Sequence, residues 1–203
     1  MRYGIHLPHA GEQAAPALIR RFALHAEDAG LDDVWASEHI IVPRDKFPRS
    51  PLFYDPVLTL TWVAAVTRRV RLGTSVLVLP MRHPLPLAKE LATLQNLSEG
   101  RLILGAGVGW LEPEFAALGV PFNERGRRLD EGLAMMRAVW SQDPVSFKSR
   151  YIPAVIEGMT MRRCRCAQFH SGWAAVPRPR CSARSALPTA GTARATRRRK
   201  LRR

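Results

Sequence analysis

Short apolar runs alternate with longer stretches of helical spacing along the first two thirds of the chain. Residues 3–7 read as a strand. Over 14–29 the positions of Leu18, Phe22 and His25 or Ala26 recur every 3.6 residues or so, which predicts a helix with one apolar face. Gly30 stands where a helix ends in a left-handed cap. Residues 33–37 predict a second strand, and Asp55-Pro56 supplies an N-cap and a first-turn proline for a helix running to residue 67. Over 70–79 the run VRLGTSVLVL is almost continuously apolar, as in a parallel strand buried on both faces. A helix over 86–97, a fourth strand over 101–106 and amphipathic segments over 113–118 and 124–140 follow. Strands starting near 3, 33, 71 and 102, with a helix in each gap, are repeated βα units and predict a parallel α/β sheet. An open doubly wound sheet and part of a (β/α)8 barrel both satisfy this rhythm.

Charge divides the chain in two. Every Asp and Glu lies at or before Glu157, whereas residues 161–203 hold twelve Arg and one Lys, +13 of the net +14. Residues 1–160 carry 18 basic and 17 acidic side chains, the balance of an ordinary globular domain. The expectation is one domain over 1–160 and a disordered, Arg-rich tail over 161–203. Cys164, Cys166 and Cys181 all fall in the tail; with His170 they lack the paired spacing of a zinc site, so no metal is expected. A cysteine-free 1–160 suits a reducing compartment. No run approaches the roughly 18 apolar residues of a membrane span, and the N-terminus opens on a strand pattern rather than a signal peptide. These features predict a cytoplasmic protein with no membrane partner.

In either α/β architecture, ligands bind at the C-terminal ends of the strands. His6 ends the first strand, Ser37-Glu38-His39 the second; Thr74-Ser75 lies in the third, and the fourth runs into Gly105-Ala106-Gly107-Val108-Gly109. His39 beside the Glu38 carboxylate is a candidate proton donor or acceptor. His25 is given no role. The three alternating glycines lack the GxGxxG spacing of a dinucleotide loop, and close backbone approach explains them equally well. Pro80, Pro84 and Pro86 mark a rigid connection. Arg125, Arg127 and Arg128 solvate a helix start, with a phosphate or acidic substrate as the alternative.

WASEH at 35–39, RLGTSVLVLPMRHPLPLAKELATLQNLSEGRLILGAGVGW at 71–110 and the following EFAALGVPFNERGRRLDEGLAMMRAVW resemble the bacterial luciferase-like monooxygenase superfamily. The likeness is greatest to its branch using the deazaflavin coenzyme F-420, and it runs through about residues 1–157. It implies a (β/α)8 TIM barrel of which this chain holds the N-terminal half, with a deazaflavin, or alternatively FMN, at the strand ends. His39, with Glu38 beside it, matches the position near the reaction centre. Thr74, Ser75 and Val76 match a segment lying against the cofactor ring, where the family often has a non-prolyl cis peptide. Gly107, Val108 and Gly109 match the loop beside the cofactor, and His6 is counted with these contacts from its strand end. The implied chemistry is hydride transfer at C5 of a deazaflavin, or oxygen activation at C4a of a flavin, on a small organic substrate, with His39 as proton partner. Trp110 stands where some deazaflavin dehydrogenases of the superfamily carry an acid, which favours a generic reductase or monooxygenase over a sugar-phosphate dehydrogenase.

A barrel of this kind takes about 250 residues, and four strands are readable before the tail. Back-translating residues 163–192 with G or C at third bases and shifting the frame gives PVRPVPFWVGGRSPAAVLRAVRAADGWH, which resembles the family's fifth strand, phosphate-contacting glycine turn and sixth strand. The expectation is a frameshift near residues 160–164 and an out-of-frame tail, so that tight cofactor binding and turnover are not expected of the chain as written. The alternatives are an inactive remnant and a basic protein binding nucleic acid through its tail, whose thirteen charges predict incidental, salt-sensitive polyanion binding. Unpaired strand edges and uncovered apolar surface predict weak folding, aggregation or a homodimer.

Overall fold

The computed structural model describes residues 1–46 and 52–161. The predicted tail, with its cysteines and His170, lies outside the described residues apart from Met161. Strands β1 (Gly4–His6), β2 (Asp33–Ala36), β3 (Arg71–Thr74) and β5 (Leu102–Ile103) form one parallel sheet in that order. Helices α1 (Pro16–Asp28), α2 (Pro56–Val66) and α3 (Pro84–Leu97) connect them. Strand order follows chain order without the reversal of a doubly wound sheet, so the sheet is half of a (β/α)8 barrel.

Register decides which side chains meet the helices. Ile5, Val34, Leu72 and Leu102 stand abreast across the four strands. They pack in one core with Ile19 and Ala23 of α1, Leu60 and Val63 of α2, and Leu87, Leu91 and Leu94 of α3. Burying a side chain of this size stabilises the fold by about 1.5–3 kcal/mol. The next residues along each strand face the opposite way, as the pleat requires. There Trp35 stands abreast of His6, Gly73 and Ile103. Its indole lies so close that a Cβ at Gly73 would come within 2.2 Å of the ring and one at Gly4 within 2.5 Å of Nε1. One side chain therefore covers three strands, and it can do so because two of them carry none.

The helix signals have local causes. Asp55 caps α2 by accepting from Leu58 N at 2.9 Å, Pro56 opens that helix, and Gly30 takes φ +78° just beyond α1. Helix α3 starts at Pro84, two residues before the expected 86, because a proline suits the first turn as well as a connection. Helices α4 (Glu112–Ala117) and α5 (Arg125–Ser141) fall on the two amphipathic segments.

The long apolar run over 70–79 is not one strand. It is β3 and then β4 (Leu77–Val78), with a cis peptide between Ser75 and Val76. The expected strand over 101–106 divides likewise into β5 and β6 (Ala106–Gly107), and β4 pairs with β6 as a separate parallel ladder. Continuous apolarity reports burial and says nothing of direction. At the joint, Thr74 Oγ1 donates to Gly105 O at 2.8 Å and accepts from Gly105 N at 2.9 Å.

An antiparallel hairpin, β7 (Val145–Lys148) and β8 (Val155–Met159), follows α5 and has no counterpart in the sequence reading. Its strands are largely exposed, so their apolar pattern is weak. Glu131 of α5 ties down the turn by accepting from Ser149 Oγ, Arg150 N and Tyr151 N. Among the described residues no helix is long and apolar enough to cross a membrane.

Candidate active site

A cavity of about 490 Å³ opens where β2, β4 and β6 end. That volume falls in the range of roughly 300–1,000 Å³ typical of small-molecule sites. Its walls are mostly apolar, with Val76, Val78, Phe53, Trp110 and Phe122 among them, and its polar groups are few.

His39 is the best-held of these. Its Nδ1 stands 3.0 Å from Glu114 Oε2, and its ring meets Phe53 and Trp110 edge-on at centroid distances of 4.9 and 6.0 Å. Glu114 lies in the first turn of α4 with its side chain 2 % exposed. Oε1 of the same carboxylate accepts from Ile40 N at 2.5 Å and Ile41 N at 3.2 Å. Burial alone would raise the Glu114 carboxyl, but the bonds from His39, Ile40 and Ile41 outweigh it and hold the group below its ordinary value. An ionised carboxylate only accepts, so Nδ1 carries the proton of the neutral imidazole and Nε2 is its basic atom.

Glu38 plays a different part from its neighbour. Adjacent side chains diverge, and its fully buried carboxylate turns to Arg82 and to Val78 N at 2.5 Å. Burial raises the Glu38 carboxyl, with Arg82 and the Val78 amide pulling against it. Arg82 also reaches Asp55, so one guanidinium joins the end of β2, the turn after β4 and the cap of α2. The carboxylate that orients His39 is thus Glu114, and Glu38 braces the wall behind it.

Ser75, Val76, Gly107, Val108 and Gly109 line the cavity together with Glu38 and His39. His6 and Thr74 do not. Thr74 is 1 % exposed with its hydroxyl committed to Gly105, and His6 directs Nδ1 to Leu7 O with its ring 5.1 Å from that of His9. Gly109 has φ +77°, and a Cβ there would fall 2.6 Å from Val78 and 2.7 Å from the Phe115 ring. Gly107 likewise admits Val76, whose Cγ2 would be 2.5 Å from an added Cβ. These glycines let the Val76, Val78 and Phe115 side chains come close to the backbone of the cavity wall.

The family model for luciferase-like monooxygenases matches residues 1–164. This chain belongs to that family. An F420-dependent glucose-6-phosphate dehydrogenase of Kineococcus radiotolerans is 41 % identical over 146 residues, which is 70 % of this chain and 42 % of the relative. The monooxygenase RslO1 from Streptomyces bottropensis superposes with a TM-score of 0.67 at 30 % identity, covering 80 % of this chain and 50 % of its own. The oxygenating constituent of 3,6-diketocamphane monooxygenase from Pseudomonas putida, solved with FMN, shares the fold at TM-score 0.64 and 21 % identity, over 77 % of this chain and 44 % of its own. The chain spans about half the length of the proteins it matches.

Within the luciferase-like frame, the cis peptide of the third-strand segment lies between Ser75 and Val76, and the cavity wall is built around it. Glu114 is the site residue that sequence reading missed. An acid in the first turn of a helix reads as a favourable partner of the helix dipole, and only the fold shows it buried against His39. Arg125, grouped with Arg127 and Arg128 as a solvated helix start, lines the cavity as well. Among the described residues no cluster of three or more His, Cys, Asp or Glu could hold a metal ion.

Proposed function

We propose that residues 1–161 carry the ring-facing half of a deazaflavin site, and that the complete protein is an oxidoreductase acting on a small organic substrate. The His39–Glu114 pair in a mostly apolar cavity bounded by bare glycine peptides carries this reading. Val76 and Trp110 would flank a planar ring, and the 107–109 peptides offer polar contacts at its edge. A bound deazaflavin supplies hydride transfer, and FMN in its place would supply oxygen activation. The chain's own contribution is to orient the reactants, exclude water and move a proton at His39 Nε2 while Glu114 fixes the ring.

The likeness to relatives named F420-dependent glucose-6-phosphate dehydrogenases supports the deazaflavin over FMN. Trp110, following Gly109 where some dehydrogenases carry an acid, keeps the proposal at a reductase or monooxygenase of unspecified substrate. Glu114 does not replace that acid directly, because its oxygens are taken by His39, Ile40 and Ile41. The tail is read as an out-of-frame translation, to be checked by sequencing the source DNA across codons 155–170 for an inserted or missing base.

The test of the site is a titration of the 203-residue chain with coenzyme F-420, followed by coenzyme fluorescence, beside one with FMN. Saturable F-420 binding that weakens in His39→Ala supports the proposal. Saturation by FMN but not F-420 overturns the choice of cofactor. Weak binding by the 203-residue chain is what its missing half predicts; binding of neither by the protein restored to frame overturns the site.

A further inference from the structure

We infer that Arg125 is a receptor for an oxyanion of the substrate, a carboxylate or phosphate carried on an otherwise apolar body. The inference deepens the oxidoreductase reading and rests on it for the word substrate. Arg125 opens α5 and lines the same cavity as His39. Its guanidinium lies over the Phe122 ring, 3.9 Å from the centroid, and Nη1 donates to Phe122 O at 2.8 Å. Those contacts hold the group in place without neutralising it. Its Nε is buried and has no acceptor among the described residues.

Among the described residues Arg125 makes no ion pair with an acid. Around the cavity, Glu38 is bound to Arg82, Glu114 to His39 and two amides, and Glu124 to Arg128. Residues 47–51 and 162–203 contain no Asp or Glu at all. A fixed guanidinium that lines an apolar cavity, with no ion pair to a carboxylate among the described residues, favours an oxyanion that can take charge-assisted bonds from its Nη groups. Arg127 and Arg128 lie on the same turn of α5, but neither lines this cavity.

The experiment uses the full chain at about 0.15 M salt, which limits long-range attraction by the tail. Benzoate supplies a carboxylate on an apolar ring, and benzamide is its neutral counterpart; binding of each is measured by calorimetry. Benzoate should bind at least about tenfold more tightly than benzamide, as charge-assisted bonds imply. Arg125→Gln should abolish that preference, Arg125→Lys should keep part of it, and Arg127→Gln should leave it whole. Equal binding of the two probes, or a preference that survives Arg125→Gln in a chain melting like wild type, overturns the assignment. Repeating the titration with saturating F-420 separates substrate from cofactor. Benzoate still bound beside F-420 supports a substrate oxyanion, and its displacement assigns the anion to the cofactor and overturns the inference. A preference that persists in a chain unable to bind F-420 supports the anion receptor, and the redox reading is then decided separately by F-420 binding in the frame-restored protein.

Discussion

His39 Nδ1 and Glu114 Oε2 stand 3.0 Å apart although 75 residues separate them in the chain. The contact joins the end of β2 to the short helix after β6, and the Ile40 and Ile41 amides close on the same carboxylate. Three donors on one buried acid make the turn after β2 and the imidazole a single rigid unit.

Glu114→Gln keeps the side chain's volume and removes its charge. Bonds to charged groups contribute about 1.5–3 kcal/mol each, so a loss of about 2 kcal/mol at pH 7 is expected, read by urea denaturation. The folded carboxyl lies below its ordinary 4.5, so the native chain binds fewer protons than the unfolded one in that window. Its contribution is present above 4.5 and is lost as pH falls through the lower folded value. The gap between wild type and Glu114→Gln should therefore narrow on acidification, and a gap constant from about pH 7 to about pH 3 would contradict the pairing.

Arg82→Met leaves the fully buried Glu38 carboxylate without its counter-charge. Breaking a buried pair from one side costs about 3–5 kcal/mol. The double variant Arg82→Met, Glu38→Gln should recover much of that loss. A double variant as unstable as the single one would show that packing around Arg82, rather than charge, braces the wall.

Three glycines should rank in a definite order. An alanine Cβ at Gly105 would lie 2.1 Å from Thr74 O, a backbone atom, whereas at Gly107 it would meet the Val76 side chain at 2.5 Å. At Gly126, in the first turn of α5, nothing lies within 4 Å. Unfolding free energy, read by urea denaturation, should fall most for Gly105→Ala, by more than the roughly 1–3 kcal/mol usual for overpacking, and less for Gly107→Ala. Gly126→Ala should stabilise slightly, by no more than about 0.5 kcal/mol. Equal effects at the three positions would refute the close approach at Gly105.

The basic segment past residue 160 should bind duplex DNA without sequence preference. Affinity should fall steeply and linearly on a logarithmic salt scale, and in proportion to the phosphates neutralised. Competition between unrelated duplexes at two salt concentrations checks this. Sequence-selective binding that resists salt would point to an evolved role for the tail.

The one-dimensional pattern determined the repeated βα rhythm, the caps at Asp55 and Gly30, the division of charge near residue 160, and the resemblance carried by residues 71–110. Each is a property of near neighbours: spacing for helices, hydrogen-bond chemistry for caps, composition for the tail. The chain's third dimension decided the rest. Apolar continuity could not show that 70–79 bends at Ser75–Val76, because burial on both faces leaves the same sequence whether a strand runs straight or changes ladder. Adjacency suggested Glu38 as the partner of His39, yet neighbouring residues on extended backbone point apart, and the carboxylate that arrives comes from α4. Arg125 shared its sequence context with Arg127 and Arg128, and only its place over Phe122 at the cavity separated it from them. Local chemistry is written along the chain; which distant groups share one buried volume is set by how the sheet curves and where the helices close over it.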